Sequence, residues 1–247
     1  RGMPGDFGRL EEIGGGALLL TEKSGLAMHF DATGRLARID EPTGNGISLG
    51  YIDSKLETIS HDNGQSLALE YNADGRVQYL TDHALRVTEY VYDPSGELLE
   101  QVIAPGGVTT DYAYRPPSGG AGDYALVSVT HPDGTHTSFD HDSRGRMSSR
   151  WRDGGEERLD YGYDTFGTVE ETDALDHVVT GRFGSSGELL EIENHLSERL
   201  SLDYDAKLNL TRLVLPDGSR YRYEYDPLGN PIEASTPKGS VFRAGYV

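Results

Sequence analysis

An aromatic-Asp-x-x-Gly unit that returns at a fixed interval constrains this chain more than any other feature. Phe30-Asp31-Ala32-Thr33-Gly34-Arg35-Leu36, Tyr71-Asn72-Ala73-Asp74-Gly75-Arg76-Val77 and Tyr92-Asp93-Pro94-Ser95-Gly96-Glu97-Leu98 share one frame. Tyr163-Asp164 leads to Gly167, Phe183 to Gly187 and Tyr225-Asp226 to Gly229, while Tyr204-Asp205 leads to Leu208, where the glycine is lost. Tyr51 and His141 fill the aromatic slot in two weaker copies, the second with Gly145 behind it. Positions Phe30, Tyr51, Tyr71 and Tyr92, and then His141, Tyr163, Phe183, Tyr204 and Tyr225, follow one another at 20 to 22 residues, a period of about 21. The longer step from Tyr92 to His141 fits two repeats and an insertion near 114–124, read as a protruding loop.

Each period holds a second turn: Asp62-Asn63-Gly64, Pro105-Gly106-Gly107, Pro132-Asp133-Gly134 and Pro216-Asp217-Gly218. In Asp93-Pro94-Ser95-Gly96 the proline has the φ of the second position of a type I turn. Glycine at the fourth makes the positive φ of a hairpin bulge cheap. Both turns are therefore hairpin connections between antiparallel strands.

The strand entering each Tyr-Asp turn alternates: Tyr221, Tyr223 and Tyr225 fall on one face, Arg220, Arg222 and Glu224 on the other. Period two marks one covered face. The strand leaving the turn places apolar residues three apart, as in Leu36 and Ile39, which demands either a bulge or cover on both faces. Sustained 3.6-residue periodicity is absent and Gly or Pro interrupts nearly every window of ten; Glu188 to Leu202, the best helical candidate, reads better as two strands in the repeat register, so no helix is expected. The fold class is all-β: antiparallel hairpin repeats, about 20 strands, in one long sheet that twist should curl into a curved wall. Residues 1–25 read as a degenerate segment leading into a repeat domain over 26–247.

The 41 acidic and 22 basic residues give a formal charge of -19, which disfavours nucleic acid and anionic membrane surfaces and favours a cationic partner. There is no cysteine, hence no disulfide or thiolate metal site. No apolar run approaches the roughly 20 residues of a membrane span. The first residues lack a signal-peptide core, and the opening Arg1 suggests a piece of a longer polypeptide. If the chain ends at Val247, its outer strands expose unpaired backbone and should promote self-association.

Residues with catalytic potential dissolve into the repeat. His131, His136 and His141 with Asp133, Asp140 and Asp142 are the densest group of potential metal ligands, but they belong to turns and to the aromatic slot. Asp140 to Gly145 echoes a calcium loop whose distal acid is replaced by Trp151. Glu11-Glu12, Glu156-Glu157 and Glu170-Glu171 are adjacent pairs whose members point to opposite faces of a strand. Gly14-Gly15-Gly16 lacks the rest of a phosphate loop. The reading is no catalytic residue, no metal and no cofactor, with the tyrosines as a packing ladder in preference to a carbohydrate platform.

The repeats from Phe30, Tyr71 and Tyr92, and Pro216-Asp217-Gly218 through Tyr225-Asp226, resemble the Rhs or YD-repeat family over roughly 26 to 247. The resemblance implies a sheet spiralling into a hollow shell, of which about ten repeats would make a partial wall. In bacterial members the shell holds a toxin, as in insecticidal toxin complexes and type VI secretion effectors; in teneurins it is part of an adhesion ectodomain. It therefore implies a secreted, surface or delivered wall segment. Its partners would be the other repeats of the shell and a toxin polypeptide. A surface adhesion or glycan-binding module is the alternative. Self-cleaving members carry Asp-Pro-x-Gly-Leu; Asp93-Pro94-Ser95-Gly96 and Asp226-Pro227-Leu228-Gly229 stop short of the leucine, so no protease activity is carried over.

Overall fold

The computed structural model of the protein describes residues 8–246. Among them are 23 β-strands, a 3-10 turn at Asp153–Gly155 and no α-helix. They fall into two compact units. One comprises Gly8–Pro116 and Leu126–His136; the other comprises Pro117–Ala125 and the residues from Thr137 onward.

In the first unit each strand, from Arg9–Gly14 to Leu126–Thr130, pairs antiparallel with the next. Residues directly opposite across a ladder share a face, so the register identifies what each face carries. Met28 stands opposite Ile39, Ile39 opposite Ile47, Leu49 opposite Ile59, Ile59 opposite Leu67, and Leu69 opposite Leu80. The slot residues Phe30, Tyr51, Tyr71 and Tyr92 lie on this apolar face, opposite Leu36, Leu56, Val77 and Leu99. The other face is polar: Arg38 opposes Ser48, Glu70 opposes Tyr79, and Gln101 opposes Asp111.

The second unit repeats the scheme. Leu202, Leu213 and Tyr221 form one cross-strand row on the tyrosine face, and Asp203, Arg212, Arg222 and Ser235 form another on the opposite face. In Arg220–Tyr225 the tyrosines are half-buried and the charged residues exposed. Strand-borne charge of both signs thus collects opposite the tyrosines.

Neither unit has a closed core. Among the described residues no hydrophobic side chain is buried; Ser149, Asn209 and a few glycines are. This is the signature of a single layer, in which apolar side chains are covered only by their neighbours on the same face.

The three-residue spacing after the turns that follow Phe30, Tyr71 and Phe183 comes from bulges. Phe30 pairs with Leu36 and His29 with Arg38, so Ala37 is an extra residue that lets Leu36 and Ile39 share the tyrosine face. Gln78 and Leu190 occupy the same place after Tyr71 and Phe183.

The insertion begins one residue later than its aromatic landmark suggested, because Tyr114 ends a strand and pairs with Leu126. It does not simply protrude. Gly122 is buried, and the Ala121 carbonyl lies so close to Gly145 that a Cβ there would collide with it.

Candidate functional site

The recurring chemistry is concentrated at the Tyr-Asp turns, where three devices combine. The first is a stitch by the slot tyrosine. The Tyr51 hydroxyl donates to the carbonyl of Leu36 at 2.8 Å, Tyr71 to Leu56 at 2.6 Å, Tyr92 to Val77 at 2.9 Å and Tyr225 to Leu210 at 2.8 Å, each reaching back 15 residues. Tyr163 makes the equivalent bond to Met147 at 2.8 Å. The accepting residue is the first after the preceding turn, beside the bulge that interrupts the ladder, where a backbone carbonyl needs another donor.

The second device is the turn aspartate. Asp31 Oδ1 accepts the N–H groups of Thr33 at 2.8 Å and Arg35 at 3.0 Å. Asp164 does the same for Phe166 and Thr168, and Asp226 for Leu228 and Asn230. Asp93, with proline after it, accepts from Glu97 and Leu98. A carboxylate with several donors is held ionised. The Ser95 hydroxyl and then the Leu98 N–H lower Asp93 to about 2, and the Thr33 hydroxyl leads the same effect on Asp31.

The third is the left-handed residue closing the turn. Gly34, Gly75, Gly96, Gly145, Gly167, Gly187 and Gly229 all have positive φ, from 75° to 85°. Where glycine is lost, Leu208 is forced to φ 62°. In the Phe183 copy the aspartate is also gone, and Glu188 accepts the Ser186 N–H instead. His141 occupies its slot at the end of a strand, with ring Nδ1 buried and unpartnered.

Other contributors escaped the sequence reading. Tyr114 bonds to the Leu99 carbonyl at 2.9 Å and Tyr246 to that of Pro231 at 3.1 Å, so both are stitches. The 15-residue reach back to a bulge would have identified them. Arg35 pairs with Asp31 of its own turn and lies 4.9 Å over the ring of Tyr51 in the next repeat; Arg146 joins Asp142 to Tyr163 at 4.1 Å. Asp82, Asp173 and Asn194 build the same turn on the opposite edge, with Leu85, Asp176 and Ser197 at positive φ.

Two of the residues grouped as potential metal ligands serve the turns: Asp133 accepts from the Thr135 N–H and hydroxyl, and Asp142 from the Arg144 and Arg146 N–H groups. Among the described residues no three His, Asp or Glu side chains converge as a metal site. No helix among them is long and apolar enough to cross a membrane.

The family model of the RHS repeat matches residues 204–241, from the Tyr204 slot through the Tyr225 slot and the turn at 236–239. The matched segment is an RHS repeat, and it supports placing the chain with the Rhs/YD-repeat proteins. The chain is 27% identical over 154 residues to the probable deoxyribonuclease RhsB of Dickeya dadantii (strain 3937), covering 62% of the chain and 10% of that protein. It therefore spans about a tenth of that relative's length. Its fold is similar to part of the crystal structure of TcdB2-TccC3-Cdc42, with a TM-score of 0.55 at 16% identity over 88% of this chain and 13% of that one. TcdB2-TccC3 gives a TM-score of 0.54 at 16% identity, over 88% and 14%. At these identities the likeness concerns the fold.

Proposed function

We propose that this Rhs-repeat chain is a non-catalytic wall segment of a bacterial shell that encloses or presents a toxin polypeptide. The observation that carries this reading is the single-layer sheet itself. Within each unit one face carries an apolar ladder that no second layer of the described residues covers, and the other bears the charges. A soluble protein rarely leaves a contiguous apolar patch larger than a few hundred Å² facing water, whereas a wall has an inner side. The slot aromatics and turn residues act in this reading as the wall's fasteners: tyrosine hydroxyl to bulge carbonyl, aspartate to turn amides, glycine at the left-handed position. A deoxyribonuclease activity such as the relative's name states would reside outside this segment. Other repeats of the same shell are its partners, and secretion, by a type VI or other machine, is its route.

The fold-level likeness to TcdB2-TccC3 supports the same reading. The alternative of a glycan platform is weaker, because the slot tyrosines spend their hydroxyls on backbone carbonyls. Limited proteolysis of the complete polypeptide tests the proposal. A cargo region resistant to protease in the native protein, and digested once this segment carries paired Tyr→Ala substitutions at Tyr71 and Tyr92, is the expected result. Cargo digested equally in both proteins would overturn it.

A further inference from the structure

In a chain of net charge -19, one stretch of the charged face runs against the trend. Arg220 and Arg222 point to that face from one strand, two residues apart. Arg222 lies directly opposite Arg212 on one neighbouring strand and Ser235 on the other. Like charges facing each other across a ladder are unfavourable. Arg212 relieves its share through an ion pair with Asp203. The next cross-strand basic residue, Arg243, is paired with Glu233 at 2.8 Å, and Arg199 with Glu193 at 2.7 Å. Among the described residues Arg220 and Arg222 have no such acidic partner, and both line an open groove of about 610 Å³. Ser219, Ser235 and Thr236 add hydroxyls to its wall, and Gly218 and Gly239 of two successive turns form its rim. The groove's one carboxylate, Asp217, already accepts from the Ser219 N–H at 2.8 Å and the Ser219 hydroxyl at 2.9 Å.

Two guanidiniums without acidic partners, a third arginine abutting them and neighbouring hydroxyls are the chemistry that recognises an oxyanion. Guanidinium forks match tetrahedral oxyanions in shape as well as charge. We propose that the groove between the turns at 216–219 and 236–239 binds a multiply charged oxyanion, phosphate or sulfate, with Arg220 and Arg222 as its principal ligands and Ser235 and Thr236 beside them. The acidic remainder of the chain does not forbid this, because at physiological salt charges more than about 8 Å away are largely screened. The source of the anion is either the free ion or an ester on a sugar polymer.

The test is an NMR titration of the 247-residue chain with inorganic phosphate, and in a second arm with a sulfated tetrasaccharide, at ionic strength held constant with sodium chloride. Saturable shifts of the Arg220 and Arg222 Nε–H signals and of the Ser235 and Thr236 amides are expected in at least one arm. Tighter binding of the tetrasaccharide would assign the ester as source, and equal or weaker binding the free ion; both sustain the site. R222Q should weaken binding by roughly tenfold or more, and R199Q, which alters a paired arginine, should leave it unchanged. These exposed substitutions leave the amide spectrum folded, which the same data verify. Shifts that stay linear in both arms, that spread over all arginines alike, or that survive R222Q would overturn the proposal.

Discussion

Replacing Gly145 by alanine isolates what the insertion contributes to the wall. Any non-glycine residue at this φ of 78° carries left-handed strain of about 1–2 kcal/mol. Gly134, at φ 81° with open space where a Cβ would stand, should show that strain alone. At Gly145 a Cβ would also lie 2.9 Å from the carbonyl carbon of Ala121, a separation that forces backbone to move. That backbone is not free to yield. Asp123 holds it by accepting the Ser118 N–H and hydroxyl, both at 2.9 Å, and the Gly119 N–H at 2.7 Å. Disturbing hydrogen bonds to a charged group adds about 1.5–3 kcal/mol. Gly145→Ala should therefore cost roughly 2.5–5 kcal/mol against about 1–2 for Gly134→Ala. Urea unfolding of both variants measures the difference, and hydrogen exchange at Gly122 and Asp123 locates it: only Gly145→Ala should deprotect these amides. Equal midpoints for the two variants would refute the docking of the insertion on this turn.

Tyr225→Phe, which removes a bulge stitch, should destabilise by about 0.5–1.5 kcal/mol, whereas Tyr223→Phe on the same strand and face should be nearly neutral in the same melts. His141→Phe removes a buried ring nitrogen without a partner and should stabilise by about 1 kcal/mol; a lower melting temperature would contradict the burial of that atom. The turn aspartates predict acid lability. Asp93 is depressed to about 2, below the value of about 3.9 in an unfolded chain, so its contribution is complete above that value and lost as pH falls through 2. Melting temperature should accordingly be flat from pH 5 to 8 and fall between about pH 4 and 2, less steeply in Asp93→Asn; an unchanged slope in that variant would count against the turn assignment.

The period and its two turns were readable because they are local: glycine where φ must be positive, aspartate where amides must be capped, tyrosine every second residue on one face. Antiparallel all-β architecture follows from those signals alone. The bulge at Ala37 was visible only as a spacing of three between Leu36 and Ile39, and register was needed to distinguish it from cover on both faces. The stitch from Tyr51 to Leu36 joins neighbouring strands across 15 residues, so nothing local announces it. Tyr114 and Tyr246 were missed for related reasons. After Tyr114 the Asp-x-x-Gly signal is replaced by Arg-Pro-Pro, and Tyr246 stands one residue before the last. The second-turn variants at Leu85, Asp176 and Ser197 place non-glycine residues at positive φ, which composition disguises.

The central claim is that this apolar, single-layer sheet is the wall of an enclosure and performs no reaction of its own. A cryo-EM reconstruction of the complete polypeptide tests it most directly. The account predicts that the tyrosine-bearing strands continue into neighbouring repeats of a closed shell, with one face of this segment turned to polypeptide density inside. A segment exposed to solvent on both faces, with no enclosed density, would contradict it.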